Sequence, residues 1–231
     1  MNKKIFKISK KIKPFKKKIF VESDKSLSIR WVLFSSMSTE KSVALNLLKS
    51  EDVLSAIDCI KKLGSKVKFH NNKCEIIGSG LNYNIKKNLV LNSGNSGTLG
   101  RLLLGLLINS EKKIKLIGDK SLSQRDFSRV TEPLRLFGAN IKSKKNSLPI
   151  VIEGTEFLRP IKYFEDKGSA QCKSSVMLAA LNTPGTTKIK ARKSRNHTEL
   201  LFKYLKLPIK LKSKKNYDLI EVTGLKQFDS F

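Results

Sequence analysis

The residues able to do chemistry fall into short clusters that suit anion recognition better than nucleophilic or metal chemistry. Asp24-Lys25-Ser26-Leu27-Ser28-Ile29-Arg30 sets a lysine, a hydroxyl and an arginine at the head of an apolar run. Charges that open an apolar helix are costly to bury unless they meet an opposite charge, which favours a binding role for them. Gly94-Asn95-Ser96-Gly97-Thr98 precedes a second apolar run. It lacks the spacing of a dinucleotide fingerprint and the Gly-Lys-Ser/Thr of a Walker A loop, so alone it also reads as a helix-capping turn. Ser169-Ala170-Gln171 precedes a third run, and Arg125 stands in the loop Ser123-Gln124-Arg125-Asp126, where Asp126 could pair with it. No periodicity brings a Ser/His/Asp or Cys/His set together. His70 and His197 have no cysteine or histidine at ligand spacing, so no zinc site is expected. His197 reads as part of a helix cap. Cys59 and Cys172 fall on helix faces and read as core. Asp119-Lys120-Ser121 repeats the first tripeptide but follows a strand and precedes no buried helix, so it reads as a decoy.

The three clusters recur at regular intervals. Lys25, Ser96 and Ser169 lie 71 and 73 residues apart, and each precedes an apolar segment: Trp31–Met37, Leu99–Ile108 and Val176–Leu181. Segments that are apolar nearly all round predict buried helices. Downstream of each lies an amphipathic helix, at Ser50–Gly64, Ser128–Gly138 and Asn196–Leu207. The turns after them, at Gly64, Gly138 and Pro208, are 74 and 70 residues apart. Glycine there is the usual left-handed C-cap, whereas proline stops a helix by other means. Strands fit between the paired helices (Ser42–Leu47, Lys113–Ile117, Thr187–Lys190) and after them, ending at Gly78, Gly154 and Gly224. The fold expected is α+β: three βαβαββ units around a pseudo-threefold axis, with the buried helices at the centre. If those helices run the same way, their N-termini converge and gather free N–H groups and positive dipole ends. Phosphate is the usual occupant of such a place.

The 231 residues carry 47 Lys+Arg against 19 Asp+Glu, a formal charge of +28. Such a chain attracts anions. The excess is mostly lysine spread over every segment, which points to a solvated surface more than to a nucleic-acid face with interleaved aromatics. No apolar run approaches the roughly 18 residues of a membrane span. Three scattered cysteines make no disulfide framework and suit a reducing compartment. Residues 1–20 hold nine lysines and no acid. They lack the apolar core of a signal peptide and the arginine and serine of a transit peptide. Phe6, Ile8 and Ile19–Val21 predict two short strands there.

Taken in order, the Asp24–Arg30 motif, Gly94–Thr98 with Arg101-Leu102, Arg125, Pro133-Leu134 before Phe137-Gly138-Ala139, and Ser169-Ala170-Gln171-Cys172-Lys173-Ser174 resemble the 5-enolpyruvylshikimate-3-phosphate synthase family. The related UDP-N-acetylglucosamine enolpyruvyltransferases fit the first and last motifs less well. The resemblance, from about Ile5 to the C-terminus, implies transfer of the enolpyruvyl group of phosphoenolpyruvate to the 5-hydroxyl of shikimate 3-phosphate. Phosphate is released, and no metal or organic cofactor takes part. It also implies that Lys25, Ser26, Arg30, Ser169, Ala170 and Gln171 hold shikimate 3-phosphate, with Ser194 a lesser candidate. Lys25, Gly97, Arg125 and Gln171 would face phosphoenolpyruvate.

The chain departs from the family pattern at Glu22-Ser23, Ile29, Leu99-Gly100 and Asp126, the last a negative charge beside an anion site. It is also about half the family's length. The resemblance implies that the acid–base residues lie in the other half, that residues 1–21 belong with that half, and that residues 22–231 form one substrate-binding domain with repeats at about 22–93, 94–167 and 168–231. Such a chain is expected to be cytoplasmic, monomeric and inactive, or nearly so, without its complement. The competing reading is a non-catalytic basic module for nucleic acid or other polyanions, whose affinity would fall steeply with salt.

Overall fold

The computed structural model describes residues 7, 9–81, 83, 85, 88–224 and 230–231. Its elements fall into three consecutive units. The first holds α1 (Lys25–Met37), β1 (Lys41–Leu45), α2 (Glu51–Lys62), β2 (Lys66–His70) and β3 (Lys73–Ile77). The second holds β4 (Leu89–Asn92), α3 (Gly97–Leu106), β5 (Ile114–Ile117), a 3₁₀ turn (Leu122–Gln124), α4 (Ser128–Leu136), β6 (Asn140–Lys144) and β7 (Ser147–Glu153). The third holds β8 (Lys162–Glu165), α5 (Ala170–Leu181), β9 (Thr186–Arg192), α6 (His197–Tyr204), β10 (Ile209–Ser213) and β11 (Tyr217–Thr223). The fold is α+β, and its second and third units are βαβαββ.

Alternation in the strands makes each sheet one-sided. In β9 the side chains of Thr187, Ile189 and Ala191 are buried while Lys188, Lys190 and Arg192 face out, the pattern of a sheet with one covered face. The second and third sheets repeat one topology. β4 runs parallel to β5 and β8 to β9, and the remaining neighbours are antiparallel, in orders β4-β5-β7-β6 and β8-β9-β11-β10. The first sheet, β1-β3-β2, has three strands among the described residues. On its open β1 edge, where the other sheets carry a parallel strand, the Val43 N–H donates to the Phe231 carbonyl at 2.8 Å and the Phe231 N–H donates to Ser42 Oγ at 3.3 Å. The Phe231 ring meets Trp31 edge-on. The chain's last described residue therefore sits where the first unit's leading strand would pair.

Helices α1, α3 and α5 form the centre, wrapped by the sheets and by amphipathic α2, α4 and α6. α3 and α5 touch backbone to backbone: a Cβ on Gly105 would stand 2.1 Å from the Ser175 carbonyl oxygen. The unit-closing glycines are alike in the same way. A Cβ on Gly78, Gly154 or Gly224 would lie 1.9–2.3 Å from a carbonyl oxygen at the C-terminal end of its own unit's central helix. Only hydrogen fits at these positions.

Two expectations need correction. Residues 9–21 form no strand: Ile12, Phe15, Ile19, Phe20 and Val21 are exposed, and no sheet edge pairs with their backbone, without which a strand does not persist. Phe6 and Ile8 lie outside the described residues. Pro208 is not what ends α6. That helix stops at Tyr204, Lys206 takes the left-handed conformation (φ +52°), and the Leu207 N–H returns to the Phe202 carbonyl at 2.9 Å. Lys206 thus stands in for Gly64, where the Ser65 N–H returns to Ile60 in the same way.

Candidate functional site

Each central helix opens on a side-chain cap. Asp24 Oδ1 accepts from the Leu27 N–H at 2.7 Å, Ser96 Oγ from Leu99 at 3.3 Å, and Ser169 Oγ from Cys172 at 3.3 Å. One cap satisfies one free N–H and leaves others of the first turn open. The starts of α3 and α5 are tied together through Gln171. Its Nε2 donates to Thr98 Oγ1 and its Oε1 accepts from Arg101 NH1, both at 2.8 Å. The start of α1 joins them through Arg30. The Arg30 Nε donates to Thr198 Oγ1 at 2.7 Å, NH2 to Ser174 Oγ at 3.1 Å, and NH1 to the Ser26 carbonyl at 3.1 Å. The clusters near residues 25, 97 and 170 therefore meet at one end of the central helices.

Every central helix also places a cation within its first two turns: Arg30 on α1, Arg101 on α3 and Lys173 on α5. Arg30 is only 3% exposed, and no carboxylate touches it among the described residues. Burial lowers its pKa to about 10, countered in part by Glu199, so the guanidinium stays charged at neutral pH. Lys173 Nζ meets Glu199 Oε1 at 2.5 Å, both side chains buried. Arg101 is half-buried and lies over the Phe127 ring. Its pKa falls chiefly through burial, with the nearby Arg125 and Arg129 charges adding to the shift. Two arginines, Arg101 and Arg125, converge on Gly97, and their like charges favour an anion between them.

The Arg125 guanidinium lies over Gly97, where a Cβ would stand 3.1 Å from its NH1. It makes no ion pair with Asp126. That carboxylate instead accepts from the Ser128 N–H (2.8 Å) and hydroxyl (2.6 Å) at the start of α4, so its charge is spent on a helix N-terminus. The Asp119-Lys120-Ser121 copy opens the 3₁₀ turn rather than a buried helix. Asp119 accepts from the Leu122 N–H at 2.7 Å and from Asn95 Nδ2 at 2.5 Å, and so braces the Gly94–Thr98 loop against the Arg125 loop.

Lys25 is exposed and forms an ion pair with Asp52 at 3.3 Å. Ser26 and Ala170 take part through their backbone carbonyls, which accept from Arg30 and Ser174. The Ser194 hydroxyl is buried without a hydrogen-bond partner. Glu165, buried, accepts from the Ser169 N–H at 2.8 Å and pairs with Arg129 at 2.6 Å, which fixes the approach to α5. Cys59, Cys74 and Cys172 are buried free thiols. Burial pushes Cys59 up to about 12 and Cys74 up to about 11, so neither is a nucleophile at neutral pH.

Lys173 and Ser174 stand in the Ser169–Ser174 motif without an expected role, and nothing in the sequence marks Arg129, Thr198 or Glu199. Lys173 could have been found by the rule that flagged Arg30, a charge at the head of an apolar helix. The Thr198–Glu199 pair carries no such mark, since it belongs to an outer helix and acts across to α5.

A family model described as EPSP synthase (3-phosphoshikimate 1-carboxyvinyltransferase) matches residues 9–230. The chain is 40% identical over 196 residues to a 3-phosphoshikimate 1-carboxyvinyltransferase of Syntrophomonas wolfei, covering 84% of this chain and 46% of that protein. It is 42% identical over 190 residues to one of Caldicellulosiruptor saccharolyticus, covering 80% and 43%. The solved EPSP synthase of Acinetobacter baumannii superposes with a TM-score of 0.83 at 30% identity, covering 92% of this chain and 48% of that one. The chain spans about half the length of the curated relatives it matches.

Proposed function

The chain belongs to the EPSP synthase family, and from that premise we propose that it binds shikimate 3-phosphate and phosphoenolpyruvate for transfer of the enolpyruvyl group to the 5-hydroxyl, with release of phosphate. Lys25, Ser26, Arg30, Ser169, Ala170 and Gln171 hold shikimate 3-phosphate. Gly97, Arg125 and Gln171 face phosphoenolpyruvate, and Lys25 reaches both. The observation that carries this reading is Arg30: a buried guanidinium held only by neutral oxygens, where the starts of α1 and α5 meet. A buried cation beside helix N-termini, with no carboxylate in contact among the described residues, is relieved by an anion.

The carboxylates around this cluster are already engaged. Asp24 and Asp126 cap helices, Glu165 holds Arg129, and Glu199 holds Lys173. We therefore assign the acid–base work to the part of the family's length that this chain does not span, and residues 1–21 to contact with that part. These residues bind the substrates as part of a monomer, and turnover draws on the remainder of the family's length. The family reading also puts it in the cytoplasm, in keeping with its three free thiols.

Trp31, the single tryptophan, follows Arg30 on α1 and offers a direct probe. Titration with shikimate 3-phosphate should shift its emission saturably. Arg30→Ala should weaken that response by roughly a hundredfold, the scale for removing a hydrogen-bonded charge from a buried pair. An unchanged response in Arg30→Ala would remove the basis of the reading.

A further inference from the structure

We propose that Lys173 is a positioning residue that keeps the Arg30 charge open to an anion, by holding Glu199 to itself. Two adjacent rungs join α5 to the start of α6. In one, Ser174 Oγ and Thr198 Oγ1 lie 2.6 Å apart and both accept from Arg30. In the other, their chain neighbours Lys173 and Glu199 form a buried ion pair at 2.5 Å, and among the described residues neither the ammonium nor the carboxylate has a hydrogen-bond partner beyond that charge contact. The buried cluster thus holds two cations and one carboxylate. Glu199 follows Thr198 directly, so its charge acts on Arg30 from the next rung. If it bonded Arg30, that guanidinium would be neutralised. Lys173 takes the carboxylate, and the surplus positive charge stays with Arg30.

The other acids in reach are committed elsewhere. Asp24 caps α1, and Asp218, which also acts on Lys173, pairs with Lys193 at 2.7 Å. Arg195 adds a further positive charge near Arg30. A buried ion pair is weak evidence for stability, because well-packed apolar residues often serve as well. Its retention here has an explanation in the charge that it leaves unpaired.

The identity of the anion rests on the function proposed above; the pairing itself does not. The test compares Lys173→Met, Glu199→Gln, the double variant and Lys173→Arg in the full chain, titrated with shikimate 3-phosphate. Lys173→Met frees Glu199 to pair with Arg30 and should weaken binding on the order of tenfold. Glu199→Gln should not weaken it, and the double variant and Lys173→Arg should bind within about threefold of the unaltered chain. A merely structural pair would weaken binding alike in Lys173→Met and Glu199→Gln, in step with their melting temperatures, and that result overturns the proposal. If Lys173→Met fails to fold, Glu199→Gln and the double variant decide: weakened binding in both overturns it.

A second arm needs no ligand. Arg30→Met should lower the melting temperature more in the Lys173→Met background, where Arg30 is paired with Glu199, than in the unaltered chain. Equal losses overturn the proposal. Absence of shikimate 3-phosphate binding in every variant, with unequal losses in this arm, would instead count against the functional reading alone.

Discussion

Arg30 and Asp126 show how the same kind of group, a charge beside a helix start, takes opposite roles. Arg30 lies inside with neutral partners and keeps its charge for something else. Asp126 looked in the sequence like a repulsive neighbour of the anion site, yet its carboxylate is turned onto Ser128. The hydrogen bonds from the Ser128 hydroxyl and N–H hold the Asp126 carboxyl below the usual carboxylate range. The Leu122 N–H, followed by Asn95, does the same for Asp119. The sign follows directly. In the unfolded chain these groups take up protons near the ordinary value of about 4, while the folded groups do so only at lower pH. Their contribution is therefore present above about pH 4 and lost as the pH falls below it. Thermal melts between pH 6 and 3 should show a smaller acid-induced drop in Asp126→Asn than in the unaltered chain, and equal drops would refute the capping role. Arg30 was legible in the sequence because a charge that opens an apolar helix is conspicuous, and Gln171 because the repeat sets its cluster at the head of the third apolar segment. Glu199 was not, because nothing in that amphipathic outer helix marks its one acid as turned inward.

At the scale of elements, the repeat made the helices and strands readable. An apolar central helix, a period and a closing glycine recur three times, and the boundaries agree to within a few residues for the outer helices and most strands. What the period could not supply was the cap of the third helix, where Lys206 adopts a conformation that the other units give to glycine. It also could not supply a strand at Ile19–Val21, since an apolar run among lysines does not make one without an edge to pair with. The closing glycines look like turn residues in the sequence, but their part is steric. Gly154→Ala puts a Cβ 2.0 Å from the Ile108 carbonyl oxygen. It should cost about 1–3 kcal/mol, the range for overpacking a tight interior, and lower the melting temperature by several degrees. A variant that melts with the unaltered chain would mean that the strand end and helix end are not held together as described.

At the scale of the whole molecule, three units pack so that the starts of α1, α3 and α5, their capping residues and their cations share one end. Lysines such as Lys188 and Lys190 meanwhile spread over the outer sheet faces. The net charge of +28 is therefore mostly a property of the surface, and the selective feature is the small set of buried and half-buried cations at the helix starts. These two sources of anion affinity respond differently to ligand shape and to salt. Calorimetric titration of the full chain at about 0.15 M salt separates them, with shikimate 3-phosphate set against shikimate and inorganic phosphate. Saturable binding of shikimate 3-phosphate, well above either control and little changed by moderate salt, is the result expected of a built site. Equal uptake of all anions, collapsing as salt rises, would contradict it and leave a basic surface without a site.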